Sequence, residues 1–373
     1  MIPITRPFVG EEEARAAAEV VRSGWLSQGA CVQRFEEAIA SRLGIRHAIA
    51  TTNCTTALHL ALIAAGVGPG DEVICPSFSF IATANAIVHA GATPVFVDID
   101  PRTYTIDPAL VERAISPRTR AIMPVDQIGL AADIPAIRAI AARHGLRVVE
   151  DAAPALGATI GETPVGALSD FTCFSFHPRK SITTGEGGII VTDDDAAAGH
   201  LRAIRSHGAS LSDLARHGAA TIVEEEYHEL GYNCRMTDIQ AAIGLIQLEK
   251  LDTILAERRR LALRYTALFA GHPRIAPPYE PPGRQHTYQS YCVRLSTRKP
   301  LLQVRQEMAD LGIATRRGVM AIHLQAYYRQ RMPDVVLPET ERATEETLLL
   351  PLYVGLSEEE QQRVVEALDR VVR

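Results

Sequence analysis

The sequence predicts an α/β protein, with a mostly parallel sheet flanked by helices and a smaller α+β domain at its C-terminal end. Three observations carry this expectation. Between Glu72 and Asp151, short apolar runs alternate with helix-patterned segments, the order of parallel strands joined by crossover helices. A long helical segment then opens at Thr237 and Gln240, which have capping-box spacing, and reaches about Phe269. The stretch GHPRIAPPYEPPG, Gly271–Gly283, is dense in Pro and Gly and marks a boundary. The expected division is therefore a large domain with its N-terminal segment, 1–270, and a small domain, 271–373.

Element by element, residues 11–66 read mostly as helix, with TTNCTTALHLALIAAG as the clearest part. Strands are expected at Glu72–Cys75, Pro94–Val97, Ala121–Val125 and Arg147–Val149. Helices are expected at Phe80–Ala90, Ala109–Ile115 and Ile134–His144, the last stopped by Gly145. Two further β-like runs, Phe171–Ser175 and Gly188–Val191, flank a loop containing Lys180. Parallel sheets bind ligands beyond the carboxyl ends of their strands, and Pro76–Phe80, Asp98, Asp126 and Asp151 all fall there.

Composition narrows the function. The chain has 373 residues, 47% apolar and 22% charged, as expected of a globular protein. Its net charge of −6 and the lack of any basic block argue against nucleic acid as a partner. No apolar run approaches the roughly 18–20 residues of a membrane span, and the N-terminal stretch lacks the order of a secretion signal. Six scattered cysteines without a CxxC pair imply reduced thiols in a cytoplasm, neither a disulfide framework nor a zinc site.

Of 38 basic side chains only three are lysines, at 180, 250 and 299. Arginine stays protonated at working pH and cannot form a Schiff base, so a lysine kept in an arginine-rich chain raises a chemical question. Lys250, on a long helix beside Glu249, and Lys299, in the turn STRKP, read as solvated surface. Lys180 lies between FSFHPR and a glycine-rich turn, and a nucleophilic lysine there needs a depressed pKa. Asp151 ends RVVED, 29 residues earlier, where it is placed either to hold a protonated ring nitrogen or to cap a helix. NCTTALHLAL, beginning at Asn53, opens a helix with small polar residues, and free N–H groups at a helix start bind phosphate. Neither a G-x-G-x-x-G nor a P-loop pattern is present. A phosphate-binding helix start, a ring-nitrogen acid, an aromatic for stacking and a Schiff-base lysine are the set that pyridoxal phosphate requires.

Six blocks, in order, carry a resemblance: SGWLSQG (Ser23–Gly29), PSFSFIATANAI (Pro76–Ile87), EDAAPALGA (Glu150–Ala158), SFHPRK…TTGEGG (Ser175–Gly188), GYNCRMTDIQAAIG (Gly231–Gly244) and LLLPLY (Leu348–Tyr353). Over nearly its whole length the chain resembles the DegT/DnrJ/EryC1/StrS sugar aminotransferases, which have the aspartate aminotransferase-like fold, type I among pyridoxal-phosphate enzymes. The resemblance implies that Lys180 forms the Schiff base, Asp151 pairs with the pyridine nitrogen and Phe80 stacks on the ring. It also implies that Cys54, Thr55 and Ser175 hold the phosphate, and that Asn233 reaches the phosphate of a neighbouring subunit in a homodimer. An amino acid, Glu or Gln, would be the donor, with the pyridoxamine form as intermediate. The acceptor would be a nucleotide-linked keto-sugar or, alternatively, a free cyclitol ketone. A deoxysugar dehydratase and a non-catalytic cofactor-binding regulator are the other readings, and the retained Lys180 argues against the dehydratase branch, which has histidine there.

The chain departs from the family's pattern in three places. The usual Ser-Gly-Thr is Asn53-Cys54-Thr55, Pro154 stands where His or Gln is frequent, and Asp126 replaces a histidine often near cofactor or substrate. His207 and the segment from Arg316 to His323 are open between a substrate-facing and a structural place, as is Trp25, the one tryptophan.

Overall fold

The computed structural model describes residues 1–210 and 224–373. Its central sheet has seven strands: β1 (His47–Thr51), β2 (Glu72–Pro76), β3 (Thr93–Val97), β4 (Thr119–Ile122), β5 (Arg147–Asp151), β8 (Phe171–Ser175) and β9 (Gly188–Thr192). The short strands β6 (Thr159–Ile160) and β7 (Thr163–Pro164) pair beside it with β11 (Arg284–Gln285). The order across the large sheet is β1-β9-β8-β5-β4-β2-β3, and β9 alone runs against the others. The ends of β1, β2, β5 and β8 and the start of β9 therefore share one edge, the edge where an α/β sheet binds ligands.

Helices cover both faces. On one face α3 (Cys54–Ala64), α4 (Ala82–His89) and α7 (Asp195–Arg205) pack a core that includes Leu58, Leu60, Ile87, Val149 and Leu201. On the other, α5 (Pro108–Arg113) and α6 (Ile134–His144) pack on Ile74, Ile122 and Val148. The adjacent residues Val148 and Val149 thus face opposite layers, as the two-residue period of a strand demands. Near β1 and β9, α2 (Ala30–Leu43) and the long α8 (Asp238–Leu268) enclose Phe35, Phe174, Ile189 and Leu251. Helix α8 starts as expected, since Thr237 and Gln240 form a reciprocal capping box.

The strands β10 (Ile275–Ala276), β12 (Tyr291–Leu295), β14 (Thr347–Leu350) and β13 (Arg316–Arg317) form a second, antiparallel sheet in that order. Its core joins α9 (Leu301–Asp310) and α12 (Glu358–Val372) to the far end of α8 through Tyr265, Val304 and Leu368. Ile2 enters the same core and its N–H donates to Gly312 O at 2.8 Å. Two more helices, α10 (Ala326–Arg331) and α11 (Pro338–Glu346), follow β13.

Several sequence expectations need correction. Residues 47–51 are not helical: HAIAT is β1, held by β9. Strand β4 ends at Ile122, and Val125 makes only an isolated bridge, to Asp151. Lys250 is not a solvated residue. It pairs with Glu12 and with buried Glu13 (Nζ to Oε1, 2.7 Å), fastening α8 to α1 (Glu11–Ser23). Lys299 pairs with Glu307 at 2.8 Å. The helix Ile134–His144 falls at the expected bounds, with Gly145 left-handed behind it at φ 66°.

Candidate active site

Asp151 ends β5 with only 5% of its surface exposed. Its Oδ2 accepts from Thr83 Oγ1 at 2.7 Å, and its Oδ1 from Ala153 N at 3.2 Å. Thr83 in turn shares a 2.7 Å hydrogen bond with Ser79 Oγ. Burial pushes the Asp151 carboxyl up, while Thr83, Lys180 and Ala153 pull it back toward the anion. Lys180, half-buried in the loop between β8 and β9, has its amine pushed down by burial, against the pull of Cys54 and Asp151. The two groups thus lie close enough to act on each other. A lysine in this setting releases its proton more readily than one in water, as nucleophilic or proton-moving work needs.

Asn53 caps α3, its Oδ1 accepting from Thr56 N at 2.9 Å, so the chain starts a regular helix with Cys54 in the first turn. The first-turn N–H groups of Cys54 and Thr55 have no acceptor within the helix. The Cys54 thiol is buried and is pushed up well above the ordinary range, first by burial and then by Asp151. Ser175, at the end of β8, lies opposite Gly188, the first residue of β9. A Cβ on Gly188 would stand 2.5 Å from Asn53 C and 2.6 Å from Cys54 N, so only glycine lets β9 run this close beneath the helix start. Next to Lys180, Ser181 Oγ is buried without a hydrogen-bond partner. The ring of Phe80 is 63% exposed although the loop bearing it is anchored on both sides.

The fold therefore gathers Cys54, Thr55, Phe80, Asp151, Ser175 and Lys180 at one sheet edge. Asn233 is exposed, in a bridge to Ser206 beside a 420 Å³ cavity lined by Arg202, Arg205 and Arg235, while the adjacent Cys234 O accepts from Thr52 N near the start of α3. Asp126 does not face the open edge. It is fully buried, its Oδ1 accepts from Ala132 N at 2.8 Å, and its Oδ2 has no donor. Burial, and then the charge of Glu150, push its carboxyl well up. Pro154 contributes its carbonyl, which accepts from Thr287 Oγ1 at 3.0 Å. His207 takes a left-handed backbone, φ 62°, and donates its N–H to Tyr232 O. Trp25 lies against Gly29 and donates to Gln28 O at 3.3 Å. Arg316 and Arg317 are exposed, whereas His323 is buried between two chain segments. Sequence reasoning missed Thr83, whose one sequence signal is a hydroxyl in the first turn of a helix, and the close approach at Gly188, signalled only by the doubled glycine.

A lowered lysine amine, a buried acid within reach of its charge, an exposed aromatic and a helix start open to an anion fit pyridoxal phosphate. The chain belongs to the DegT/DnrJ/EryC1/StrS aminotransferase family, whose sequence profile matches residues 7–369. It is 38% identical over 379 residues to the spore coat polysaccharide biosynthesis protein SpsC of Bacillus subtilis (strain 168), covering 100% of this chain and 97% of that relative. Among solved structures, DesV of S. venezuelae in complex with a ketimine intermediate matches with a TM-score of 0.90 at 36% identity, covering 97% of this chain and 95% of DesV. DesI in the presence of its TDP-sugar product matches with a TM-score of 0.90 at 33% identity, covering 100% of this chain and 93% of DesI. The type I fold expected from the sequence is the fold these structures share.

Proposed function

We propose that this enzyme moves an amino group from glutamate or glutamine to the ketone of a nucleotide-linked keto-sugar, using pyridoxal phosphate held by the residues gathered above. The observation that carries the reading is the mutual influence of Lys180 and Asp151 at the sheet edge that also bears the largely exposed Phe80. The likeness to DesI, solved with a TDP-sugar, supports the acceptor class. The cofactor, when bound, supplies an electron sink for the carbon that loses its proton.

The chain's own groups do the rest. The N–H groups of Cys54 and Thr55, with Ser175, bind the phosphate at the helix start. Phe80 would stack on the cofactor ring, and Asp151, which accepts from Thr83, would pair with the ring nitrogen and keep it protonated. Lys180 Nζ would be the cofactor's attachment point and, when free, would carry a proton from the donor carbon and return it in the second half-reaction. Exposed Asn233 suits a role across a subunit boundary, in a homodimer with shared sites. The working division is a cofactor-binding domain, 1–270, and a small domain, 271–373.

The test is the visible spectrum of the purified protein with pyridoxal phosphate, before and after L-glutamate or L-glutamine, beside Lys180→Ala. The expected result is a lysine-bound cofactor band that collapses to the pyridoxamine form with donor and is missing from the variant. The aminated enzyme should then be reoxidised by a nucleotide-linked keto-sugar. A band that neither donor changes would overturn the donor assignment, and reoxidation by a free cyclitol ketone alone would move the acceptor to that class.

A further inference from the structure

Ser77, His323 and Glu341 form a continuous hydrogen-bonded chain. Ser77 Oγ lies 2.7 Å from His323 Nδ1, and His323 Nε2 lies 3.2 Å from Glu341 Oε1. Ser77 Oγ also accepts from His323 N at 3.0 Å, and the Glu341 carboxylate can only accept, so in the neutral ring Nε2 carries the hydrogen and Nδ1 accepts from Ser77 Oγ. Nε2–H then donates to Glu341, whose Oε1 also accepts from Leu337 N at 3.1 Å. Serine, histidine and acid in this order are the arrangement of a hydrolytic triad. Here Ser77 is 0% exposed, so no substrate reaches its oxygen, and the nucleophile reading fails on burial.

Its Ser77–His323 link instead spans 246 residues of sequence and grips the Pro76–Phe80 loop. Ile322 N donates to Ser77 O at 2.8 Å, Phe78 bridges to Ala321, and Gln127 Nε2 donates to Phe78 O. The ring of Phe78 is buried with Tyr104 and Ile128 from one side and Cys292 and Ala343 from the other. On the far side of the loop, Ser79 leads through Thr83 to Asp151. Phe80 is the one large side chain of this anchored loop left uncovered.

We propose that Ser77, His323 and Glu341 are positioning residues: a clasp from the C-terminal segment that fixes the Pro76–Phe80 loop, so that the Phe80 ring is already in place for a flat partner. Holding an exposed aromatic before binding removes an ordering cost from the binding step. The inference rests on Phe80 being the stacking residue.

The test compares full-length wild type with Ser77→Ala, His323→Ala, His323→Asn, Phe80→Ala and the Ser77→Ala/Phe80→Ala double variant. Three quantities are read: the dissociation constant for pyridoxal phosphate, the circular dichroism of the bound cofactor's visible band, and the melting temperature of the cofactor-free protein. Ser77→Ala and His323→Ala should each weaken cofactor affinity by about tenfold, the size of one lost buried hydrogen bond. They should also reduce the visible dichroism in the way Phe80→Ala does. His323→Asn, which keeps a polar atom near the Nδ1 position, should recover part of both. In the Phe80→Ala background, Ser77→Ala should cost no further affinity, because the clasp acts through that ring. Unchanged affinity and dichroism in Ser77→Ala, or additive losses in the double variant, would overturn the clasp. If His323→Ala does not fold, Ser77→Ala, which removes one oxygen, decides alone. A wild-type protein that binds no pyridoxal phosphate would overturn the cofactor reading beneath the proposal, an outcome distinct from a wild type that binds while its variants match it.

Discussion

Glu150 and Asp151 are neighbouring acids at the end of one strand, both buried, yet they face different worlds. Asp151 shares its side of the sheet with Val149, α3 and α4, while Glu150 shares the opposite side with Val148, α5 and α6. Asp151 meets a lysine amine and one hydroxyl, and the edge beyond it carries the uncovered Phe80 ring. Glu150 is closed in: Oε2 accepts from Ser169 Oγ at 2.8 Å and Thr172 Oγ1 at 2.7 Å, and Asp126 is its acidic neighbour. Residue type and burial are nearly the same. A cation and open space separate a candidate catalytic acid from a structural one, and strand alternation assigns each to its side.

The sharpest way to break this contrast is to neutralise each acid in turn. Asp151→Asn should lower the rate of the donor half-reaction by on the order of 10²–10³-fold, the scale of losing one preorganised electrostatic partner. Its melting temperature should change little. Glu150→Gln should leave the rate within a few-fold and hold or raise the melting temperature, because its amide supplies a donor to the orphaned Asp126 Oδ2. Stopped-flow spectra and thermal unfolding on both variants check the pair, and equal rate losses would mean that the two faces are not functionally separate.

The hydroxyls beside the acids give a finer test. Thr83 and Thr172 each donate to a carboxylate at 2.7 Å, one on each face. Thr83→Val should weaken pyridoxal phosphate binding by roughly tenfold or more, since a hydrogen bond to a charged group is worth about 1.5–3 kcal/mol. Thr172→Val should lower stability by about 1–3 kcal/mol instead, leaving a buried carboxylate short of a donor. Cofactor titration beside urea unfolding separates the two, and a loss of affinity in Thr172→Val would count against the division.

The sequence makes one of these faces far more legible than the other. Lys180 stands out because lysine is rare in the chain, and Asp151 because it ends an apolar run. The helix Ile134–His144 is readable from its cap and its glycine. Strand β1 is not, because HAIAT lies between two helical patterns and pairs with a strand more than 130 residues later, Ala50 with Ile189. Thr83 lies in a short mixed helix, 68 residues from the acid it serves. Asp126 marks a departure from the family's pattern, but its inward direction depends on where β4 stops and Val125 bridges, which periodicity does not reveal. Local chemistry can be read from the chain, whereas long-range hydrogen bonds between short segments cannot.

Asp126 carries the smallest expected effect and the clearest sign. Asp126 Oδ2 and Glu150 Oε1 are both buried without a donor, and burial pushes both carboxyls up. The two acids on this face therefore keep their protons to a higher pH than in the unfolded chain, where their pKa values are about 3.9 and 4.3. A raised folded pKa contributes stability that is fully present below about pH 4 and is lost as pH rises toward the folded value. Asp126→Asn removes one titrating group and offers an amide hydrogen to Glu150. Its stability relative to wild type should therefore be lowest near pH 4 and climb toward neutral pH, by at most about 1.4 kcal/mol per pH unit. Thermal unfolding of both proteins across that range measures the difference directly. A climbing difference would show that the inward face holds its proton by burial, whereas a flat one would mean that the two carboxyls are already ionised and solvated, and that the faces of β5 differ less than their geometry implies.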